Sequence, residues 1–194
     1  MVTDRIRIVG IGGTARPQSS SERMVRLALD AATAMGAEVT LFDGPFIAAL
    51  PMYIPDRVER TDTEISFIDT IRQCDGMIVA SPGYHGSLSG PVKNILDLLE
   101  DMARDDRPYL EGRAFGSIVT AFGWQACGTT LVAMRSIAHA LRAWPTPFGL
   151  AVNASVPLFD GDGICLDPKV AAQAQLVAQQ VVDFARWRKA GLAA

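Results

Sequence analysis

Five short apolar segments, each followed by a stretch of helical periodicity, limit this chain to one class of fold. The segments are RIRIVGI (5–11), EVTLF (38–42), GMIVAS (76–81), AFGSIVTAF (114–122) and FGLAVNA (148–154). They are apolar nearly throughout rather than alternating, the pattern of strands buried on both faces. Between them, Met24, Leu27, Ala28, Ala31 and Ala32 recur at helical spacing up to Gly36, a residue suited to a left-handed cap. A second helix is predicted over 61–74, with Ile65, Ile68 and Ile71 near one side. A third begins at GPVKNILDLLEDM, with Pro91 in its first turn and Val92, Ile95, Leu96, Leu99 and Met102 as its buried stripe. Helices are also predicted over 129–143 and 169–189. The segment DGPFIAALPMYIPD (43–56), with three prolines, reads as a surface loop. Strand–helix alternation implies an α/β fold: a five-stranded parallel sheet, helices on both faces, right-handed crossovers and the strand order 2-1-3-4-5. Ligands of such sheets sit beyond the carboxyl ends of the strands, at the switch point. The loops after strands one, three and four are therefore the places to search.

The chain has 194 residues and shows no repeat, low-complexity run or linker, so one domain spanning 1–194 is expected. A net charge of −3 argues against nucleic acid as a partner, since phosphate-tracking surfaces are basic. Cys74, Cys127 and Cys165 are scattered and form no CxxC, which suggests neither a disulfide framework nor a metal site. The start lacks the apolar core of a signal peptide, and no apolar run reaches the ~18 residues that span a membrane. A cytoplasmic protein is expected.

The first loop reads GIGGTARPQSSSER (10–23). No Gly-Lys-Ser/Thr follows, which excludes a Walker loop. Gly10, Gly12 and Ala15 fit the spacing of a dinucleotide fingerprint, and Asp43 after the second strand could meet a ribose. That motif requires the helix to begin inside the glycine run. Here Arg16-Pro17 intervenes, and Ser19 with Glu22 forms an S-x-x-E capping box that starts the helix near Ser20. The polar loop left over is long enough to wrap a single phosphate. Thr14, Ser19 and Ser21 supply hydroxyls, Arg16 a forked cation, and the helix N-terminus free N–H groups. A terminal monophosphate, as in FMN, suits this better than a diester. The bland alternative is a plain N-cap on a solvated loop.

The second loop, SPGYHGSLSGPVKN (81–94), is bare enough for its backbone to meet the polar edge of a planar heterocycle, with Tyr84 and His85 beside the ring. Alternatively, Tyr84 is a rim aromatic and His85 a solvated side chain. In AFGWQACGTT (121–130), Gly123 and Gly128 bracket Trp124 and Gln125, which could cover the other side of the same ligand. Cys127 has no nearby His to activate it, and His139 lies among apolar residues of a helix, where a structural role is expected.

Together the loops resemble the NADPH-dependent FMN reductase family, of flavodoxin-like fold. That family pairs a G-S-x-R-x-x-S phosphate loop with an S-P-x-Y-x-x-x-x-x-G-x-x-K-N segment, here GTARPQSSS (13–21) and SPGYHGSLSGPVKN. The resemblance implies a three-layer sandwich in which Thr14, Arg16, Ser19 and Ser21 hold the FMN phosphate. It implies that Pro82, Tyr84, His85, Gly86 and Ser87 line the flavin and that Gly123 completes the pocket. It further implies hydride transfer from NADPH or NADH to flavin, with no catalytic side chain or metal required. Small-molecule substrates, a homodimer or homotetramer, and a flavin-dependent monooxygenase that receives reduced flavin are the expected partners. An FMN-containing quinone or azo reductase and a non-enzymatic electron carrier are the alternatives. Thr14 replaces the family's usual serine, and Gly83 stands where glutamate is frequent.

Overall fold

The computed structural model describes residues 5–192; the ends of the expected 1–194 domain lie outside the described residues. Parallel strands β1 (Arg7–Gly12), β2 (Glu38–Phe42), β3 (Gly76–Tyr84) and β5 (Ala114–Ala121) run in the order β2-β1-β3-β5. The next position is shared by β6 (Trp144–Pro145) and β7 (Leu150–Asn153), which both pair with β5 in parallel. This is the flavodoxin-like order 2-1-3-4-5, with the fifth strand in two pieces. Residues 146–149 interrupt it where the Thr146 hydroxyl donates to the carbonyl of Phe148 at 2.7 Å.

Helices α1 (Ser20–Ala34) and α6 (Pro168–Leu192) cover one face. There Met24, Val25, Val177 and Val181 pack on Ile8, Ile78 and Ile118. The opposite face carries α3 (Asp62–Gln73), α4 (Gly90–Asp97) with a 3-10 turn at Leu98–Met102, and α5 (Trp124–Ala140). Phe67, Ile71, Ile95, Leu99 and Met134 pack there on Val9, Met77, Val79 and Phe115. Strand residues of both parities are buried, which is why the strands read as unbroken apolar runs.

Three segments differ from the sequence reading. Residues 43–56 are not all loop: Gly44–Ala49 is a short helix, α2, because Asp43 caps it by accepting the Phe46 N–H at 3.1 Å and Pro45 suits its first turn. Phe46 thereby reaches Phe42, with ring centroids 4.5 Å apart, while Ile47 and Leu50 enter the core. The third strand continues past residue 81, then reverses at His85-Gly86 into β4 (Ser87–Leu88). His85 and Gly86 both take positive φ, 51° and 88°, as a two-residue hairpin turn demands. Helix α5 starts at Trp124 rather than 129, directly after Gly123 at φ 107°.

Helix α6 lies close to the sheet because Gly76 and Gly116 leave room for it. A Cβ at Gly116 would stand 2.6 Å from Val177 Cγ1 and 3.0 Å from Val181 Cγ2. Gly116→Val is therefore expected to cost about 1–3 kcal/mol through overpacking. The check is a lower urea midpoint with an unchanged slope.

Candidate functional site

The strand registers bring four carboxyl ends together. Gly12 of β1 faces Ala80 of β3, Pro82 of β3 faces Thr120 of β5, and Ala121 of β5 faces Asn153 of β7. The chain leaves the sheet here in four connections, and a cleft of about 370 Å³ opens between them. Its lining brings together Thr14, Arg16, Ser19 and Ser21 from the first loop with Pro82 and Tyr84 from the end of β3.

The first loop is built from its own backbone and from two serines of the neighbouring loop. Ser89 Oγ donates to the Gly13 carbonyl at 2.6 Å, and the Ser89 N–H donates to Ser81 Oγ at 2.9 Å. Gly13 is pressed against β3; a Cβ there would overlap the Ala80 carbonyl and stand 2.8 Å from Ser81 Cα. Thr14 Oγ1 accepts the Arg16 N–H at 2.9 Å, which turns the chain, and Gln18 takes a left-handed φ of 53° to enter the helix. Ser19 caps α1 by accepting the Glu22 N–H at 3.2 Å, and its hydroxyl lies 3.2 Å from that of Ser21. The expected capping box is only half formed. Glu22 turns away from the N-cap N–H and accepts instead from the N–H groups of Gln18 and Gly44, both at 3.2 Å. Arg26 caps the other carboxylate oxygen at 2.8 Å. Among the described residues, the first-turn N–H groups of Ser20 and Ser21 have no protein acceptor, and both residues belong to the cleft lining.

The other sequence-proposed residues lie differently. His85 and Gly86 form the tip of the β3–β4 hairpin, Ser87 pairs with Tyr84 across it, and none of the three lines the cleft. Gly123 sits at the N-terminus of α5, its N–H donating to Asn153 Oδ1 at 3.1 Å, also outside the lining. Tyr84 is a rim residue, 54 % exposed. Gly83 has a packing reason: a Cβ there would lie 2.8 Å from Thr130 Oγ1 and 2.9 Å from Ala121 Cβ, so α5 occupies the space a glutamate would need.

Cys127 is buried and its thiol donates to the Val152 carbonyl at 3.3 Å. Burial raises its pKa, which suits a structural thiol. His139 is exposed in the last turn of α5, a helix end away from the cleft, rather than enclosed among apolar residues.

Sequence reasoning missed most of one wall. Gln18 and Arg23 flank the first loop, Thr120 lies at the end of β5 with Phe122 just after the strand, and Leu158 with Phe159 comes from the β7–α6 connection. The apolar pair Leu158-Phe159 ahead of Asp160-Gly161 was the available signal, since two adjacent apolar residues on a connection, Leu158 buried and Phe159 half-buried, must cover something. Among the described residues no group of three or more His, Cys, Asp or Glu side chains is placed to hold a metal, and no helix is long and apolar enough to cross a membrane.

Residues 6–156 match the family model described as NADPH-dependent FMN reductase. The chain belongs to that family. It is accordingly an NAD(P)H-dependent flavin oxidoreductase working with FMN and a reduced nicotinamide dinucleotide. Among curated relatives of the family, an NAD(P)H-dependent FMN reductase of Pseudomonas aeruginosa is 26% identical over 200 residues, covering 96% of this chain and 97% of that protein. The FMN reductase (NADPH) of Escherichia coli is 26% identical over 58% of each chain. The flavoenzyme FerB, an NAD(P)H:(acceptor) oxidoreductase from Paracoccus denitrificans, shares the fold with a TM-score of 0.76 at 19% identity, over 95% of this chain and 98% of its own.

The buried Glu22 carboxylate joins the first loop to α2, and among the described residues nothing else accepts the N–H groups of Gln18 and Gly44. Glu22→Ala is expected to lower stability by about 1–3 kcal/mol, the cost of stranding buried donors. Chemical denaturation measures that loss, and the variant should also bind FMN more weakly than the parent.

Proposed function

We propose that the cleft is the FMN site and that the chain catalyses reduction of FMN by NADPH or NADH. The observation that carries this reading is the donor set at one end of the cleft. Thr14, Arg16, Ser19 and Ser21 line the cleft together where β1 passes into α1, beside two helix N–H groups without a protein acceptor among the described residues. A phosphomonoester needs that set: several short donors, one or more cations and the positive end of a helix dipole. A cleft of about 370 Å³ falls within the range of small-molecule sites, roughly 300–1,000 Å³, and extends past the ends of β3 and β5.

Bound there, FMN supplies the hydride-accepting ring, so the protein binds and orients rather than furnishing an acid, base or nucleophile. Thr14, Arg16, Ser19 and Ser21 hold the phosphate. Pro82, Gly83 and Tyr84 present backbone to the ring. Phe122, Leu158 and Phe159 exclude water from one side, and the exposed Tyr84 edge leaves access for the nicotinamide. His85, Gly86, Ser87 and Gly123, which stand back from the cleft, act by shaping the loops that do line it.

We place the protein in the cytoplasm, in keeping with its three unpaired cysteines. We also propose a homodimer or homotetramer. Met52 and Ile54 at 72 % and 52 % exposure, with Phe122 and Trp124 exposed beside the cleft, supply apolar surface for such contacts. The electron acceptor after flavin is a small molecule or a flavin-dependent monooxygenase.

Purified protein should bind FMN and oxidise NADPH or NADH in its presence; folded protein that does neither would refute the reading. Arg16→Ala should weaken FMN binding by about 1.5–3 kcal/mol, the scale of a hydrogen bond to a charged group. Riboflavin, lacking the phosphate, should be far less affected in the same titration.

A further inference from the structure

We propose that Arg23 is a second, pre-positioned phosphate ligand, fixed in place by the β7–α6 connection. The inference rests on the FMN reading above and concerns a residue outside the sequence motif.

A phosphomonoester carries about −1.5 to −2 charges at neutral pH, more than one guanidinium offsets. Among the described residues two arginines line the cleft, Arg16 and Arg23. They are held in opposite ways. The Arg16 side chain is exposed and, among the described residues, makes no hydrogen bond or ion pair, so ordering it over a ligand costs rotamer entropy. Arg23 is already ordered. Its Nη1 donates to the Asp160 carbonyl at 3.2 Å, its Nη2 to Gln18 Oε1 at 3.4 Å, and its guanidinium lies 5.8 Å from the centroid of the Phe159 ring.

The nature of those partners decides the argument. Each is neutral, and no carboxylate pairs with Arg23 among the described residues, so its charge stays available. The contrast is one turn along the same helix. Arg26 binds Glu22 at 2.8 Å and lies 3.6 Å from Asp43, so its charge is spent inside the protein. Arg23 also keeps most of its five N–H donors after those two bonds. An ordered cation with donors to spare, on the wall of a cleft that already holds three hydroxyls, is the arrangement that captures a doubly charged anion without further ordering cost.

The arrangement gives the β7–α6 connection a purpose. Asp160 Oδ1 accepts the N–H groups of Asp162 at 3.0 Å and Ile164 at 2.8 Å, and Phe159 bridges to Cys165. This compact turn presents the Asp160 carbonyl to Arg23 while Leu158 and Phe159 form the wall. Flavin phosphate recognition and closure of that wall therefore share one side chain.

The test is titration of FMN and riboflavin by quenching of flavin fluorescence, using the parent protein, Arg23→Met and Arg23→Ala. Methionine keeps an apolar stem against Phe159 but carries no charge. Arg23→Met is expected to weaken FMN about tenfold or more and to leave riboflavin within about twofold. In Arg23→Ala, FMN should fall at least as far, with riboflavin also falling if the wall loosens. Unchanged FMN affinity in Arg23→Met, or equal losses for both flavins in that variant, would overturn the assignment. A parent protein that binds riboflavin and FMN equally would overturn the phosphate-site reading itself and Arg23's role with it.

Discussion

The Gly13 carbonyl accepting the Ser89 hydroxyl at 2.6 Å is the contact on which the cleft depends. It is possible only because the backbone at Gly13 lies against the backbone of Ala80 and Ser81, where no side chain fits. Ser89 in turn caps α4 and binds Ser81 through its own N–H. One buried pair of serines thus fixes the first loop, the end of β3 and the start of α4 relative to one another. Unpaired, these groups would each cost about 1–3 kcal/mol on burial, so the network holds a single geometry.

From that anchor the rest of the site follows in order. The first loop cannot collapse onto the sheet, because Thr14 and Ser19 are committed to local turns and Glu22 braces the far side on Gly44. Thr14, Ser19, Ser20 and Ser21 are left in the cleft lining, with two helix N–H groups still free of a protein acceptor among the described residues. The apolar walls come from elsewhere: Phe122 from the loop after β5 and Leu158-Phe159 from the β7–α6 connection. Division of labour between a polar end and an apolar side suits an amphipathic ligand with a charged tail and a flat ring.

Much of this was legible in the sequence. Unbroken apolar strands fixed the parallel sheet, and the switch-point rule directed attention to the loops that do form the cleft. Thr14, Arg16, Ser19, Ser21, Pro82 and Tyr84 all line it. What escaped reading depends on contacts distant in sequence. Glu22 has the spacing of a capping box, but a buried N–H at Gly44 competes for its carboxylate and wins. His85-Gly86 reads as loop, yet pairing of Tyr84 with Ser87 makes it a hairpin turn outside the cleft lining. Arg23 lies outside the phosphate-loop motif, and the residue whose carbonyl holds it, Asp160, is 137 positions on. Helix α2 was hidden by its prolines, one of which in fact starts the helix.

The central claim is that a flavin phosphate sits as a fully ionised group among N–H, hydroxyl and guanidinium donors at the start of α1. Phosphorus NMR of the FMN-loaded protein tests it most directly. Free phosphomonoesters titrate near pH 6, whereas donors that favour the dianion should hold the bound signal constant from about pH 5 to about pH 8. A bound signal that titrates as free FMN does would mean that the phosphate lies in solvent, and the account would fail.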